Sequence, residues 1–462
     1  MRQKKFTIED LFNIPSAVIY NPDGYKSTAK VFIDSRKVTK DSIFVAIRGR
    51  KFNGHDFVKD AVNKGAATVI IQRNKLKEFD DVDCTIITVQ NTVKAYAELA
   101  KIWRRKNKYK VVSITGSAGK TTTKEMIADI LSEKYKVVKS VANNNNHIGV
   151  PLTILSATGK HEILVLEHGT NHFNEIDFTA KIAEPDLALI TNVGDSHLEY
   201  LIDREGVYKE KSALFGEALK NSGKIIINNN DEIIKGNTKG ITNKVSFGFK
   251  VKADYKGKVK GYNKYGQPVV GIESKKMKLK EEIPLLGLAN AKNFLSAVAV
   301  SKEAGISKKH IKEAVKKFKP VKGRLDYIKN KSFMLIDDTY NASPDSMKSA
   351  IEVLNNISAY SKKILIAGDM FELGKNSEQL HKSLLPEILN SSITGFYSIG
   401  EKMSALCNEF INKGFNAKHF RQRKRMIQLV ESIDLNDVVV LVKGSRGMEM
   451  DEFINVIKER VK

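Results

Sequence analysis

Short runs of consecutive apolar residues, each closing on a small or polar residue, recur along the chain. They read VVSIT (111–115), ILVLE (163–167), LALITN (187–192), KIIINN (224–229), FMLIDD (333–338), KILIAGD (363–369) and VVVLVKG (438–444). Between several of them the apolar positions change to helical spacing, as at Met126, Ile127, Ile130 and Leu131. Strands that are apolar at every position are buried on both faces. Their alternation with helices predicts an α/β fold of parallel sheets covered on both sides. In such sheets ligands gather beyond the carboxyl ends of the strands, so the residues that follow each run are the place to look for chemistry.

Three blocks separate along this pattern, in keeping with roughly three domains for 462 residues. Residues 1–90 hold short strands of their own, SIFVAIRG and AATVIIQR among them. A helix is predicted next, with Tyr96, Leu99 and Trp103 on one face, leading into the strand VVSIT. The second block, 91–318, contains that strand. Within it residues 245–285 are rich in lysine and glycine and alternate in polarity, as in a small antiparallel excursion. Pro320 and Gly323 then punctuate the chain, and FMLIDD opens a third α/β block, 319–462.

With 42% hydrophobic and 28% charged residues, the chain can bury sizeable cores. Its two cysteines, Cys84 and Cys407, make neither a disulfide framework nor a zinc ribbon and suit a reducing compartment. The opening MRQKKFTIEDLFNI turns acidic before any apolar run, unlike a signal peptide, and no stretch of ~18 apolar residues follows. A cytoplasmic protein without membrane insertion is expected. The formal charge of +24 raises nucleic acid as a partner. The lysines are scattered over the whole chain, however, and the densest run is the short RQRKRM at 421–426. That favours a general surface charge, whose field would attract small anionic substrates, and no nucleic acid is expected.

VVSIT runs into GSAGKTTTKEM (116–126). The usual G-x-x-x-x-G-K-[ST] loop would need glycine at Ile114, so what remains is the shorter G-x-x-G-K-T from Gly116 to Thr121. A strand, a glycine turn and a helix start form an anion site on physical grounds: amides point at the ligand and the helix dipole favours negative charge. Lys120 would offer a point charge to phosphates and Thr121 a hydroxyl to magnesium. On its own the motif leaves an ordinary strand–helix turn equally open. Glu167 ends ILVLE, where an acid could hold a metal facing Thr121, and His197 lies beyond LALITN. His168 and His172 have i, i+4 spacing, but the segment follows a strand rather than lying on a helix, which argues against zinc. Asp337 and Asp338, in DDTYNASPDSM, could take ribose hydroxyls or metal water, or simply build a turn. Lys443, Ser445 and Arg446 would make a carboxylate-binding corner.

With these pieces in order the chain resembles the muramyl ligases, ATP-dependent amide-forming enzymes of peptidoglycan precursor synthesis, over essentially its whole length. DSRKVTKDSIFVAIRGRKFNGHDFVKDAVNKGA is similar to the family's UDP-sugar domain. TGSAGKTTTKEM, NNNNHIGVPLTIL, SHLE and KGR are similar to its central ATPase domain and the start of its last one. DDTYNASPDSM, GDMFELG and VKGSRGMEM resemble the dipeptide-adding branch, and the D-N-P-R segment of the branch that adds the third residue is absent.

The resemblance implies a UDP-muramyl-substrate domain (1–90), a central P-loop ATPase domain (91–318) and a Rossmann-like domain for the amino substrate (319–462). It implies UDP-N-acetylmuramoyl-tripeptide and D-alanyl-D-alanine as substrates, with ATP and two Mg2+ sites, in a monomer. Residue by residue, Gly116, Ser117, Ala118, Gly119, Lys120, Thr121 and Thr122 would wrap the ATP phosphates, Asn290 would contact adenine, and Arg324 and Asp338 would lie near ribose and phosphates. Thr121 and Glu167 would bind one magnesium and His197 the second, together with Lys211, which matches a carbamylated lysine. Lys120, Glu167, His197 and Lys211 would form the catalytic set. Ser35 and Arg36 would lie by the UDP end, and Asn341, Lys443, Ser445 and Arg446 by the amino substrate.

The chain departs from the family's pattern in two places. GLANAKN puts Ala289 where a histidine is frequent, and EHGT puts His168 and Thr170 where E-M-G-A is common. EHGT motivates an alternative, a paralogous ligase with another amino acceptor. A basic nucleic-acid-binding NTPase is the alternative from another class, and no aromatic-basic platform supports it.

Overall fold

The computed structural model describes residues 4–49, 51–275 and 277–461. Three sheets follow one another along the chain. The first has five strands in the order Val18–Tyr20, Thr85–Val89, Ala66–Gln72, Ser42–Val45, Val31–Phe32, all parallel except the first pair. The third has six, in the order Asp326–Lys329, Phe333–Asp338, Val438–Lys443, Lys362–Gly368, Gly395–Ile399, Ala417–Phe420, with only the first antiparallel to its neighbour.

The central sheet has nine strands. Seven run parallel, and among them Lys110–Thr115 lies between Leu187–Ile190 and Ile163–Glu167. On the far side Lys244–Phe249 and Tyr255–Tyr262 continue in parallel, and Pro268–Ser274 and Met277–Glu282 close the edge as antiparallel strands. The alternating 245–285 segment is thus an extension of the central sheet rather than a separate unit.

Period-two geometry explains why the apolar runs are continuous. Val112 and Ile114 enter one core with Met126, Ile127, Ile130 and Leu131 of the helix Lys120–Ser132, whereas Val111 enters the core on the opposite face. Leu187 and Leu189 divide from Ala188 and Ile190 in the same way, and Met334 and Ile336 from Phe333 and Leu335 in the third sheet. Each strand feeds two layers, so neither face can be polar.

The helix Thr92–Asn107, capped by the Asn91 side chain accepting from the Lys94 amide at 3.0 Å, joins the first two sheets. Its buried Tyr96, Leu99 and Trp103 pack against Ile43, Val45 and Ile87 of the first sheet and against Val150, Ile154 and Leu164 of the central domain. Trp103 stacks on Phe6 with ring centroids 5.0 Å apart and donates from Nε1 to the Ala157 carbonyl at 2.8 Å. Among the described residues no helix is long and apolar enough to cross a membrane.

Candidate active site

The loop after Lys110–Thr115 turns in two left-handed steps, Gly116 (φ 150°) and Gly119 (φ 80°). A Cβ at Gly116 would collide with the Thr191 hydroxyl, and one at Gly119 with the Asn293 amide oxygen, so both positions require glycine on space as well as conformation. The neighbouring strand end holds the loop in shape. The Ser117 amide donates to the Asn192 carbonyl at 3.0 Å and the Ala118 amide to Asn192 Oδ1 at 2.9 Å. Thr191 Oγ1 donates to the Ala118 carbonyl at 2.6 Å. With those two amides engaged, the donors left facing outward are the first ones of the helix from Lys120 onward, which lack intrahelical acceptors as at any helix start.

Lys120 is half-buried and donates to the Gly116 carbonyl at 2.7 Å. Burial pushes its ammonium down to about 8; Glu167 offsets part of this and Arg324, from the C-terminal domain, adds to it. Thr121 Oγ1 donates to Glu167 Oε1 at 3.1 Å, and Asn145 Nδ2 donates to the same oxygen at 3.1 Å. Glu167 Oε2 is buried without a hydrogen bond; its neighbour is the fully buried Lys124 ammonium 3.6 Å away. Lys124 also meets Glu125 at 3.0 Å, and Glu125 pairs with Lys139, so a line of charges runs from the surface to Glu167.

Lys211 is buried on the helix Arg204–Lys220, and burial, with the nearby Lys120 charge, holds its amine well below the ordinary lysine value. Its neighbour Glu210 accepts from the amides of Asn174 (2.7 Å) and Ile176 (2.8 Å), which fixes the segment after EHGT. His197 begins the helix Leu198–Leu201, and its Nδ1 lies 2.7 Å from Glu372 Oε2 of the C-terminal domain.

Asn290 is buried beside the loop, donating to the Leu286 carbonyl at 2.9 Å and accepting from Asn293 at 3.2 Å. Arg324 stacks on Tyr340, its guanidinium carbon 3.9 Å from the ring centroid, and Arg446 lies 5.6 Å from the same ring. Lys443 is buried between Asp338 (2.7 Å) and the Asn341 carbonyl (2.9 Å), and burial raises the Asp338 carboxyl. Ser445 accepts from the Phe371 amide at 2.8 Å, and Arg446 and Asn341 are exposed. Asp337 takes the turn-building role, accepting from Thr339 Oγ1 at 2.6 Å. Ser35 and Arg36 lie apart in the first domain, where Asp34 holds Arg36 through two bonds of 2.9 Å.

The EHGT residues face inward. His168 is fully buried, its ring nitrogens 2.9 Å from Thr179 Oγ1 and 3.0 Å from Ser113 Oγ, and burial lowers it to about 3. His172 is exposed against Tyr200, so the two imidazoles do not converge. Thr170 Oγ1 lies within hydrogen-bond reach of the His172 carbonyl and Glu210.

Asn145, Asn293, Lys124, Tyr340 and Glu372 were not singled out by the sequence pattern.

Three family models match the chain: the Mur ligase family catalytic domain over residues 28–104, the Mur ligase middle domain over 114–301, and the Mur ligase glutamate ligase domain over 323–446. The UDP-N-acetylmuramoyl-tripeptide–D-alanyl-D-alanine ligase of Bacillus subtilis is 34% identical over 98% of this chain and 99% of its own. The chain belongs to the Mur ligase family. Among solved structures, MurF from Acinetobacter baumannii superposes on this Mur ligase with a TM-score of 0.87, at 27% identity, over 99% of this chain and all of the other. MurF from Thermotoga maritima in complex with ADP does so with 0.82, at 26% identity, over 94% of this chain and 97% of the other. The three sheets of this Mur ligase are therefore its three α/β domains.

Proposed function

We propose that the protein is an ATP-dependent ligase that joins D-alanyl-D-alanine to UDP-N-acetylmuramoyl-tripeptide in peptidoglycan precursor synthesis. The end-to-end match to ligases of that name carries the reading. It is supported by Thr121, just after the loop at 116–119, meeting Glu167 at the carboxyl ends of two adjacent strands. We assign UDP-substrate binding to residues 1–90 with Ser35 and Arg36, ATP binding to 91–318, and the amino substrate to 319–462 with Asn341, Lys443, Ser445 and Arg446. ATP and a UDP-linked precursor suit work in the cytoplasm, and we read the protein as a monomer.

In the first step a terminal carboxylate oxygen of the tripeptide attacks the γ-phosphorus of ATP, the bond to the β–γ bridging oxygen breaks, and ADP leaves. The dipeptide amine then attacks the acyl carbon, the bond to phosphate breaks, inorganic phosphate departs, and the nitrogen loses a proton. Reactants that are all anionic need alignment and charge neutralisation more than covalent help. Lys120 and the first amides of its helix supply both, with Arg324 adding charge from the other domain.

The donor set fits magnesium. Glu167 Oε1 accepts from the Thr121 hydroxyl at 3.1 Å, so a carboxylate and a hydroxyl stand together at the start of the helix that follows the loop, while Oε2 faces Lys124. Magnesium is typically held by one or two carboxylates plus substrate phosphates rather than by an all-protein cage. Thr121 and Glu167 would hold one ion, and His197 with Lys211 a second. Bound there, the ions would spread the charge of the phosphates. Burial favours the neutral amine of Lys211, the form that takes up carbon dioxide, so a carbamate at this position is part of the reading. EHGT gives no support to a different acceptor, because His168 is taken up by core contacts and Thr170 by the turn after the strand.

Phosphate release measured with ATP, magnesium, UDP-N-acetylmuramoyl-tripeptide and D-alanyl-D-alanine tests the proposal. Release that requires all four supports it, and none from folded protein defeats it.

A further inference from the structure

The seam between the central and C-terminal domains holds three non-glycine residues at positive φ: His197 (55°), Ile202 (75°) and Glu372 (61°). Such conformations are costly and persist where the surroundings over-determine them. Ile202 is β-branched and 76% exposed, so its own packing does not repay the strain. It lines a cavity of about 400 Å3 together with Arg204 of the central domain and Asn376 of the C-terminal domain. Arg204 is gripped by Asp195 through bonds of 2.8 and 2.6 Å and lies 4.0 Å from Asp345 across the seam.

The other two strained residues touch one another. His197 follows the strand Leu187–Ile190 of the central sheet, and Glu372 follows Lys362–Gly368 of the third sheet, in GDMFELG. Their 2.7 Å approach from Nδ1 to Oε2 joins strand ends of two domains. At that separation Nδ1 lies within reach of the carboxylate, although the ring is not aligned for a hydrogen bond in this structure. A histidine that ligates a metal through one ring nitrogen commonly offers the other to a carboxylate, which fixes its tautomer and orientation. Glu372 occupies that second place, and nothing else in GDMFELG accounts for a carboxylate held there on a strained backbone.

Resting on the ligase reading, we propose that Glu372 is a positioning residue. The C-terminal domain, when docked, brings this carboxylate to Nδ1 of His197 and leaves Nε2 as the nitrogen that coordinates. One metal site is then complete only when the domain carrying the amine is in place, so an acyl phosphate is not made where water would be its only acceptor.

The test uses the full chain and three variants: Glu372→Ala, Glu372→Gln and Glu372→Asp. Glu372→Ala raises the magnesium concentration for half-maximal phosphate release about ten-fold. Calorimetric binding of UDP-N-acetylmuramoyl-tripeptide stays as in the parent. Glu372→Gln, whose amide oxygen still accepts a hydrogen bond from Nδ1–H, recovers most of the loss; Glu372→Asp, one methylene shorter, recovers less. A readout independent of turnover is the 15N spectrum of labelled histidines with magnesium and ADP, the His197 signal being assigned with His197→Gln. It shows a single Nδ1–H tautomer in the parent and a mixture in Glu372→Ala. An unchanged magnesium curve with an unchanged tautomer overturns the role of Glu372 and leaves the ligase reading standing. A parent protein that releases no phosphate defeats the ligase reading, and the 15N spectra still decide the pairing. Should Glu372→Ala not fold, the comparison of Gln with Asp decides it, equal magnesium curves for the two and the parent counting against the proposal.

Discussion

Lys120 is a cation whose charge is marginal. Burial lowers it to about 8, so in the free enzyme the ammonium is present below that pH and lost as pH rises through it. The dependence of kcat/KM for ATP on pH reports the free enzyme, and it is expected to fall above about pH 8. Lys120→Arg, which stays charged, should give a flat profile over the same range at a lower level. Lys120→Ala should lose phosphate release by at least about 10²-fold while UDP-substrate binding in calorimetry persists. Lys124 makes a different prediction. Its ammonium and Glu167 Oε2 are both buried and face each other. Lys124→Met strands the carboxylate and should cost about 3–5 kcal/mol in urea unfolding, and Glu167→Gln on that background should restore most of it. Additive losses would mean that the two charges do not pair.

Among the elements, the helix Thr92–Asn107 carries more than its length suggests, because one face closes the first sheet and the flank of the central domain together. Trp103→Ala removes a ring shared by both layers and its bond to Ala157. About 3–5 kcal/mol is expected, read from the urea midpoint, with loss of a single cooperative transition as the sign that the layers have come apart. The elements were largely legible because doubly covered parallel strands must be apolar throughout, so VVSIT, ILVLE and VVVLVKG announce themselves. Gly116–Lys120 was legible because its left-handed turns demand glycine locally. The partners of that loop were not. Asn145 reaches Glu167 from inside the asparagine run at 143–146, and Asn293 meets Gly119 from a helix 174 residues away in sequence, that is, 293 minus 119. Nothing in such stretches marks a long-range contact. His168 misled in the other direction: its oddity in EHGT suggested a changed substrate site, whereas both ring nitrogens serve the core.

At the scale of the whole molecule, the central and C-terminal domains meet on more than one side. The glycine loop, Arg324 and the His197–Glu372 contact lie at the carboxyl ends of the strands. Elsewhere the turn between Tyr255–Tyr262 and Pro268–Ser274 is stitched to the end of the helix Pro344–Asn355. The amides of Ser358 and Ala359 both donate to the Lys264 carbonyl at 3.0 Å, Tyr265 bridges to Ile357, and Gln267 Nε2 donates to the Tyr327 hydroxyl at 2.8 Å. The antiparallel extension is therefore a second join between the two domains, separate from the one at the strand ends. Because main-chain groups make most of it, side chains at the tip can change while the join keeps its place. A change that breaks this join would loosen the contact between the domains without touching a residue of the glycine loop.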